Sequence, residues 1–404
     1  MSTTNESAVI DPAAGAHASA RSPLMNRLAV LAVAAGTFTV VTTEMLPVGL
    51  LTAISAELGV SAGTAGLTMT APGIVAAAAA PALTVATGRL DRRLVLMALV
   101  ALLAAANLGA AFAPNFPVLL LARVLTGVAI GGVWAIAAGL AVRLVPERSV
   151  GTATSMVFSG IAVASVVGVP VGTLIGDLAD WRTAFTVMAV LSAGVLVALA
   201  VLLPALPGTR AIRWGQVPGL FRDARLRTGL AVTLLLVTGH FAAYTYIRPV
   251  LEQVPGVGAG AIGTLLLVYG VAGVAGNFAA GAAASRRLGP TVLAIAALVA
   301  ASVLLVPVAG GTLGAVVALL AVWGAAYGGV SVSMQTWLLT SSPQAPEAGS
   351  ALFVATFNIA ISLGALSGGR AVDAFAPSGT MWFGGALAVL AAAAVLIGRS
   401  PRRR

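Results

Sequence analysis

Two charged side chains lie inside apolar runs where charge is costly: Glu44 in FTVVTTEMLPVGLL (38–51) and Arg123 in LLARVLTGVAIGG (120–132). Insertion scales put an acidic group at a membrane-helix centre about 2.5–3.5 kcal/mol uphill, so such a group normally faces a cavity or a partner and marks a transport or proton pathway. Counted along the runs, Glu44 lies about seven residues, roughly 10 Å, below the outer end of its run near Leu51. Arg123 lies about six residues, roughly 9 Å, below the same surface. At similar depth the two can pair, or compete with a proton and a cationic substrate for one site. A static ion pair, or Arg123 capping backbone carbonyls alone, is the purely structural alternative.

Three further groups carry possible chemistry. In TGRLDRR (87–93), Asp91 sits among arginines next to Gly88, Arg92 and Arg93. Such a cluster at a membrane face can latch helix ends in one conformer and release them in another, or can be simple topogenic charge. In SGIAVASVVGVPVGTLIGD (159–177), Gly168, Pro170 and Gly172 suit a bendable helix that a neighbour approaches closely. In the second half, His240 titrates near neutral pH and is a candidate proton relay or a hydrogen-bonded structural histidine. Tyr244, Asn277, Tyr327 and Asn358 lie deep enough to line a substrate pathway, among scattered residues that include Tyr269 and Trp323. Tyr246 and Trp337, near span ends, read as interfacial belt residues. Arg248 and Glu252, four apart, read as an exposed outer pair.

The elements that must position these groups are membrane helices. The 404 residues are 59% hydrophobic and 8% charged, against about 25% charged in soluble domains. Apolar runs near 28–52, 62–87, 94–113, 118–143, 150–176, 183–203, 227–247, 262–284, 289–308, 312–338, 347–371 and 380–398 predict twelve spans. All 22 basic residues are arginine, and eighteen fall in segments that would share one face. This bias places both termini in the cytoplasm; together with attraction to anionic lipid it accounts for the net charge of +10 without nucleic acid. The reading is an all-α membrane protein in the cytoplasmic (inner) membrane.

The longest polar interval divides the chain into a disordered cytoplasmic tail (1–27), a six-helix half (28–203), a basic linker (204–226), a second six-helix half (227–398) and a basic tail (399–404). Residues 1–23 lack a signal-peptide h-region. Weak likeness between GIAVAS (160–165) and NIAISL (358–363) supports a duplicated transporter. The chain has no cysteine, and its two histidines are His17 and His240, which excludes thiolate and His-rich metal centres. HExxH, GxSxG and Walker motifs are absent, so the chain reads as neither enzyme nor self-contained ATP-driven pump.

Together TTEMLPVGLL with GVS at 59–61, TGRLDRR, LLARVLTGVAIGG and Gly168/Pro170/Gly172 followed by Trp181–Arg182 resemble the major facilitator superfamily. Within it they resemble the drug:proton antiporter branch that includes bacterial sugar- and arabinose-efflux-like permeases. The loop motif departs from the family pattern, lacking the usual glycine after the aspartate. The resemblance implies two six-helix bundles rocking about a central site, with inward proton flow driving export of a drug, sugar or related metabolite. It also implies a monomer that needs no cofactor beyond the proton gradient. Glu44 and Arg123 are then the proton-coupling pair: Glu44 takes the proton, and Arg123 disfavours that protonation until substrate or conformation separates them. The alternatives are an importer or facilitator of a sugar or nucleoside, and, in another class, a non-transporting membrane sensor or scaffold.

Overall fold

A computed structural model describes residues 22–146, 149–208, 223–309, 311–343 and 346–399. The tail positions 1–21 (with His17) and 400–404, and most of the expected linker (209–222), lie outside the described residues. Helices account for nearly all of the rest, and no strand occurs among the described residues.

Among the described residues eleven helical segments are long and apolar enough to cross a bilayer. One of them, Ala259–Ala309, has 51 residues, about 75 Å at 1.5 Å per residue, more than twice a hydrocarbon core of about 30 Å. It leaves helical geometry at Arg287 (φ −145°, ψ 73°), three residues before Pro290, whose ring cannot donate to the preceding turn. It is therefore two spans, and the total is twelve. We label them α1 Pro23–Leu58, α2 Leu67–Ala86, α3 Arg92–Ala111, α4 Phe116–Leu144, α5 150–178, α6 Trp181–Leu202, α7 Ala224–Tyr244, α8 259–286, α9 288–309, α10 313–341, α11 Pro346–Phe375 and α12 Pro377–Arg399.

The helix starts follow from side chains that accept from the first free N–H groups. Ser22, Asp91, Asn115, Asp180, Asp223 and Thr312 cap α1, α3, α4, α6, α7 and α10 respectively. The left-handed Gly59 (φ 62°) ends α1 with its N–H on the Ser55 carbonyl, so α1 runs past the apolar limit expected near residue 52.

The helices form two six-helix bundles, α1–α6 and α7–α12. One apolar core is built wholly from residues between Ala29 and Leu206; another comes almost entirely from residues between Leu226 and Val395, joined by Val48, Met69 and Val169 of the first bundle. Within the first bundle α5 lies directly on α1. Gly168, Gly172 and Gly176, spaced by four on α5, face Thr42, Leu46 and Leu50, spaced by four on α1, and a Cβ at any of these glycines would overlap its opposite side chain. The bend expected at Pro170 is a π turn, Ala164–Gly168, that absorbs the missing backbone donor just before the proline.

Candidate functional site

Glu44 and Arg123 come together, but not as an ion pair. Both are buried. The Arg123 guanidinium donates through Nε to the Thr68 carbonyl at 2.9 Å, through Nη1 to the Thr43 carbonyl at 3.0 Å and through Nη2 to the Glu44 carbonyl at 3.1 Å. Among the described residues no salt bridge joins it to the Glu44 carboxylate. The side-chain pair expected from equal depth is thus replaced by a backbone clamp. A rigid fork of donors inside a membrane gains most where carbonyls have no other partner. Asn107 on α3 adds a bond from its amide to the Thr43 hydroxyl at 3.1 Å. The Glu44 carboxylate accepts no hydrogen bond among the described residues.

The second bundle presents an aromatic wall. His240 and Tyr244 lie one turn apart on α7, Trp323 and Tyr327 one turn apart on α10, and Tyr269 on α8. The His240 and Tyr327 rings stack with centroids 3.3 Å apart and planes 10° apart, and Tyr244 stacks on Tyr269 at 4.8 Å. The Trp323 indole N–H donates to His240 Nδ1 at 3.0 Å. Since indole can only donate, the neutral imidazole carries its hydrogen on Nε2. Among the described residues the Tyr327 hydroxyl is buried without a hydrogen-bond partner. Asn277 on α8 is half-buried, and Asn358 on α11 turns its amide back to the Val354 carbonyl at 2.9 Å.

The loop cluster is knit into its own bundle. Asp91 caps α3 through the Arg93 N–H at 2.8 Å and accepts from the Leu206 N–H at 2.9 Å. Arg92 donates to the Thr87 hydroxyl at 3.1 Å, and Arg93 to the Ala200 carbonyl. Gly88 is buried beside Gly208. Among the described residues Asp91 forms no ion pair with an arginine, because backbone N–H groups at the start of α3 already occupy its carboxylate.

The two bundles join at the opposite end. Arg248 donates to Asp177 at 2.7 Å, Glu252 at 2.9 Å and the Gly49 carbonyl at 2.5 Å. Thr52 donates to Glu252 at 3.1 Å. On the one-turn helix Ala62–Ala65 and its cap, the Ser61 hydroxyl and the Gly63 N–H both donate to Asp373 of α11, at 2.8 and 3.0 Å. These side-chain hydrogen bonds join the two bundles at this end. Arg248 is therefore a buried hub, 5% exposed, rather than half of an exposed pair. Tyr246 is fully buried, donating to the Ala365 carbonyl at 2.7 Å, and Trp337 is buried with its indole on the Arg225 carbonyl. Neither belongs to an interfacial belt, because each polar tip finds a carbonyl of its own bundle.

A family model described as Major Facilitator Superfamily matches residues 33–352. The chain belongs to the major facilitator superfamily. Among relatives of this transporter, the purine ribonucleoside efflux pump NepI of Salmonella typhimurium (strain LT2) is 33% identical over 371 residues, 92% of this chain and 93% of that protein. The transcription regulatory protein OpdE of Pseudomonas aeruginosa is 35% identical over 370 residues, 90% of this chain and 91% of that protein. Two solved folds align at 14% identity. A crystal structure of the nucleoside transporter NupG has a TM-score of 0.76, covering 92% of this chain and all of that one. An inward-facing, occupied bacterial homologue of the human lysosomal transporter Spinster has a TM-score of 0.77, covering 94% and 97%. The major facilitator protein described here is accordingly a multi-pass membrane transporter, not an enzyme.

Several of the transporter's joining residues escape a scan for charge in apolar runs. Arg248, Asp177 and Asp373 sit at span ends, where charge is ordinary. Trp323 joins the aromatic wall through the i, i+4 spacing of Trp323/Tyr327, a signal present in the sequence, whereas Tyr269 has no such partner on its own helix and enters only through its contacts with α7 and α10.

Proposed function

We propose that this transporter is a proton-coupled exporter of a purine-ribonucleoside-like small molecule, working by alternating access as a monomer in the cytoplasmic membrane. The arginine bias supports cytoplasmic termini, so the end held by Arg248 and Asp373 faces outward and the conformer is open to the cytoplasm. The observation that carries coupling is the Glu44 carboxylate, buried yet without a hydrogen bond among the described residues. A carboxylate in that condition gains by taking a proton or binding a polar substrate group. The name of the NepI relatives supports the substrate class. So does the cluster of stacked rings at His240, Tyr244, Tyr269 and Tyr327, an aromatic environment of the kind that suits a planar heteroaromatic base. Lipid is its solvent; no nucleic acid or cofactor enters the cycle. Asp91, Arg92, Arg93 and Gly88 form a latch that closes on the cytoplasmic side in the opposite conformer. His240 relays protons through Nε2, which neither accepts nor donates a hydrogen bond among the described residues, and Asn277 and Asn358 border the pathway.

The test is uptake of labelled inosine into everted vesicles under an imposed pH gradient. Wild type accumulates it uphill and Glu44→Gln does not; uphill accumulation by Glu44→Gln overturns the coupling role.

A further inference from the structure

Arg123 reaches three carbonyls, and two of them are special. In an α-helix the carbonyl of residue i accepts from the N–H of residue i+4. The Thr43 carbonyl would need the N–H of residue 47 and the Thr68 carbonyl that of residue 72, and both positions are prolines, Pro47 inside α1 and Pro72 inside α2. Proline brings no N–H, so each leaves an orphan carbonyl one turn earlier. In a bilayer no water is at hand to take its place. Arg123 donates to both, Nη1 to Thr43 and Nε to Thr68, at 3.0 and 2.9 Å.

We propose that Arg123 is a positioning residue that supplies the two backbone donors missing at Pro47 and Pro72, tying α1 and α2 to α4 and fixing the turn that presents Glu44. The arrangement explains why the guanidinium passes over the neighbouring carboxylate. Its third bond, to the Glu44 carbonyl, anchors the very residue whose side chain faces the interior. It also explains the residue type. Three carbonyls on two helices are met by a planar fork with donors on three nitrogens, a geometry a single ammonium cannot match. Gly127, one turn along α4, lets α2 approach at Pro72 itself, since a Cβ there would press on the Pro72 backbone. Position 123 therefore sits within reach of both breaks.

The test is a cycle on the full-length protein, read by thermal melting in detergent and by the pH profile of inosine transport. Melting is independent of any transport reading, so a failure of the clamp and a failure of the proposed function are separable. Arg123→Met is expected to melt several degrees lower. Pro47→Ala/Pro72→Ala/Arg123→Met, which restores both helical donors, is expected to recover most of that loss. If Arg123→Met does not accumulate, the decisive comparison is the triple variant against Pro47→Ala/Pro72→Ala. The clamp predicts that the triple variant is the more stable, because in the double the restored N–H groups compete with the buried guanidinium for the Thr43 and Thr68 carbonyls; the reverse order overturns it. Arg123→Lys separates clamp from charge. It is expected to resemble Arg123→Met in melting and transport, and the triple variant is expected to transport with the wild-type pH midpoint. Full activity in Arg123→Lys, or a shifted midpoint in a stably folded triple variant, assigns Arg123 to charge instead and overturns the proposal.

Discussion

Arg248, on the turn after α7, holds Asp177 at the end of α5 across the junction between the two bundles, at 2.7 Å with both side chains largely shielded from solvent. The same guanidinium engages Glu252 and the Gly49 carbonyl, so one side chain gathers α1, α5 and the second bundle.

Removing it should open that end. Loss of one member of a shielded ion pair costs on the order of 3 kcal/mol, roughly a hundred-fold in the balance between conformers. The chain has no cysteine, so a single cysteine at Ala53 reports alone. Arg248→Met is expected to raise its labelling by an impermeant maleimide several-fold in intact cells; unchanged labelling shows that Arg248 does not hold the end shut.

Asp373 receives both the Ser61 hydroxyl and the Gly63 N–H, and Gly63 packs so closely on α11 that a Cβ would overlap Asp373 and the Gly369 carbonyl. Gly63→Val should therefore act like Asp373→Ala, both raising labelling at position 53. A rise with Asp373→Ala alone would place the closure in the carboxylate rather than in the close approach.

Gly172 accepts Leu46 of α1 just beyond Glu44. Gly172→Val overpacks that contact by about 1–3 kcal/mol, and thermal melting should fall by several degrees. Transport should fall further than folding, because the shift reaches the helix that carries Glu44. Normal transport in a destabilised variant would separate the packing from the site.

Tyr327 has a buried hydroxyl with no partner among the described residues. Removing an unsatisfied buried hydroxyl relieves its desolvation cost, so Tyr327→Phe should melt no lower than the wild type. If the hydroxyl is reserved for substrate, KM for inosine rises several-fold while the maximal rate holds; an unchanged KM assigns Tyr327 to the stack alone.

Asp180 caps α6, and its carboxylate is held below its ordinary range, first by the Thr183 backbone N–H and then by the Thr183 hydroxyl and Arg182. A depressed folded-state value means the cap stabilises above the unfolded carboxylate range and is lost as pH falls through it. Wild type should lose melting temperature between pH 5 and about 3 more steeply than Asp180→Asn; parallel curves would remove the cap from the pH response.

Much of this was legible in residues taken one at a time. Glu44 and Arg123 were expected at one depth because rise per residue is fixed, and they do meet. Depth alone did not say which atoms meet, since that depended on the carbonyls freed by Pro47, on the helix of Glu44 itself, and by Pro72 on α2. Arg248 read as exposed because its local spacing to Glu252 is all that one helix reveals, whereas its burial comes from Gly49 and Asp177, some 200 and 70 residues away. The turn at Arg287 was expected from the polar break between runs, although the helix is otherwise continuous through it. Aromatic residues separated by more than 80 positions looked scattered until α7, α8 and α10 brought them onto one face.

On the proposed alternating-access reading, the side-chain bonds described between the bundles act as a clasp at one end. Closing the cytoplasmic end then requires undoing Arg248–Asp177 and the Ser61 and Gly63 bonds to Asp373, so what is lost at the clasp and what is gained around Asp91 together set how long each conformer lasts.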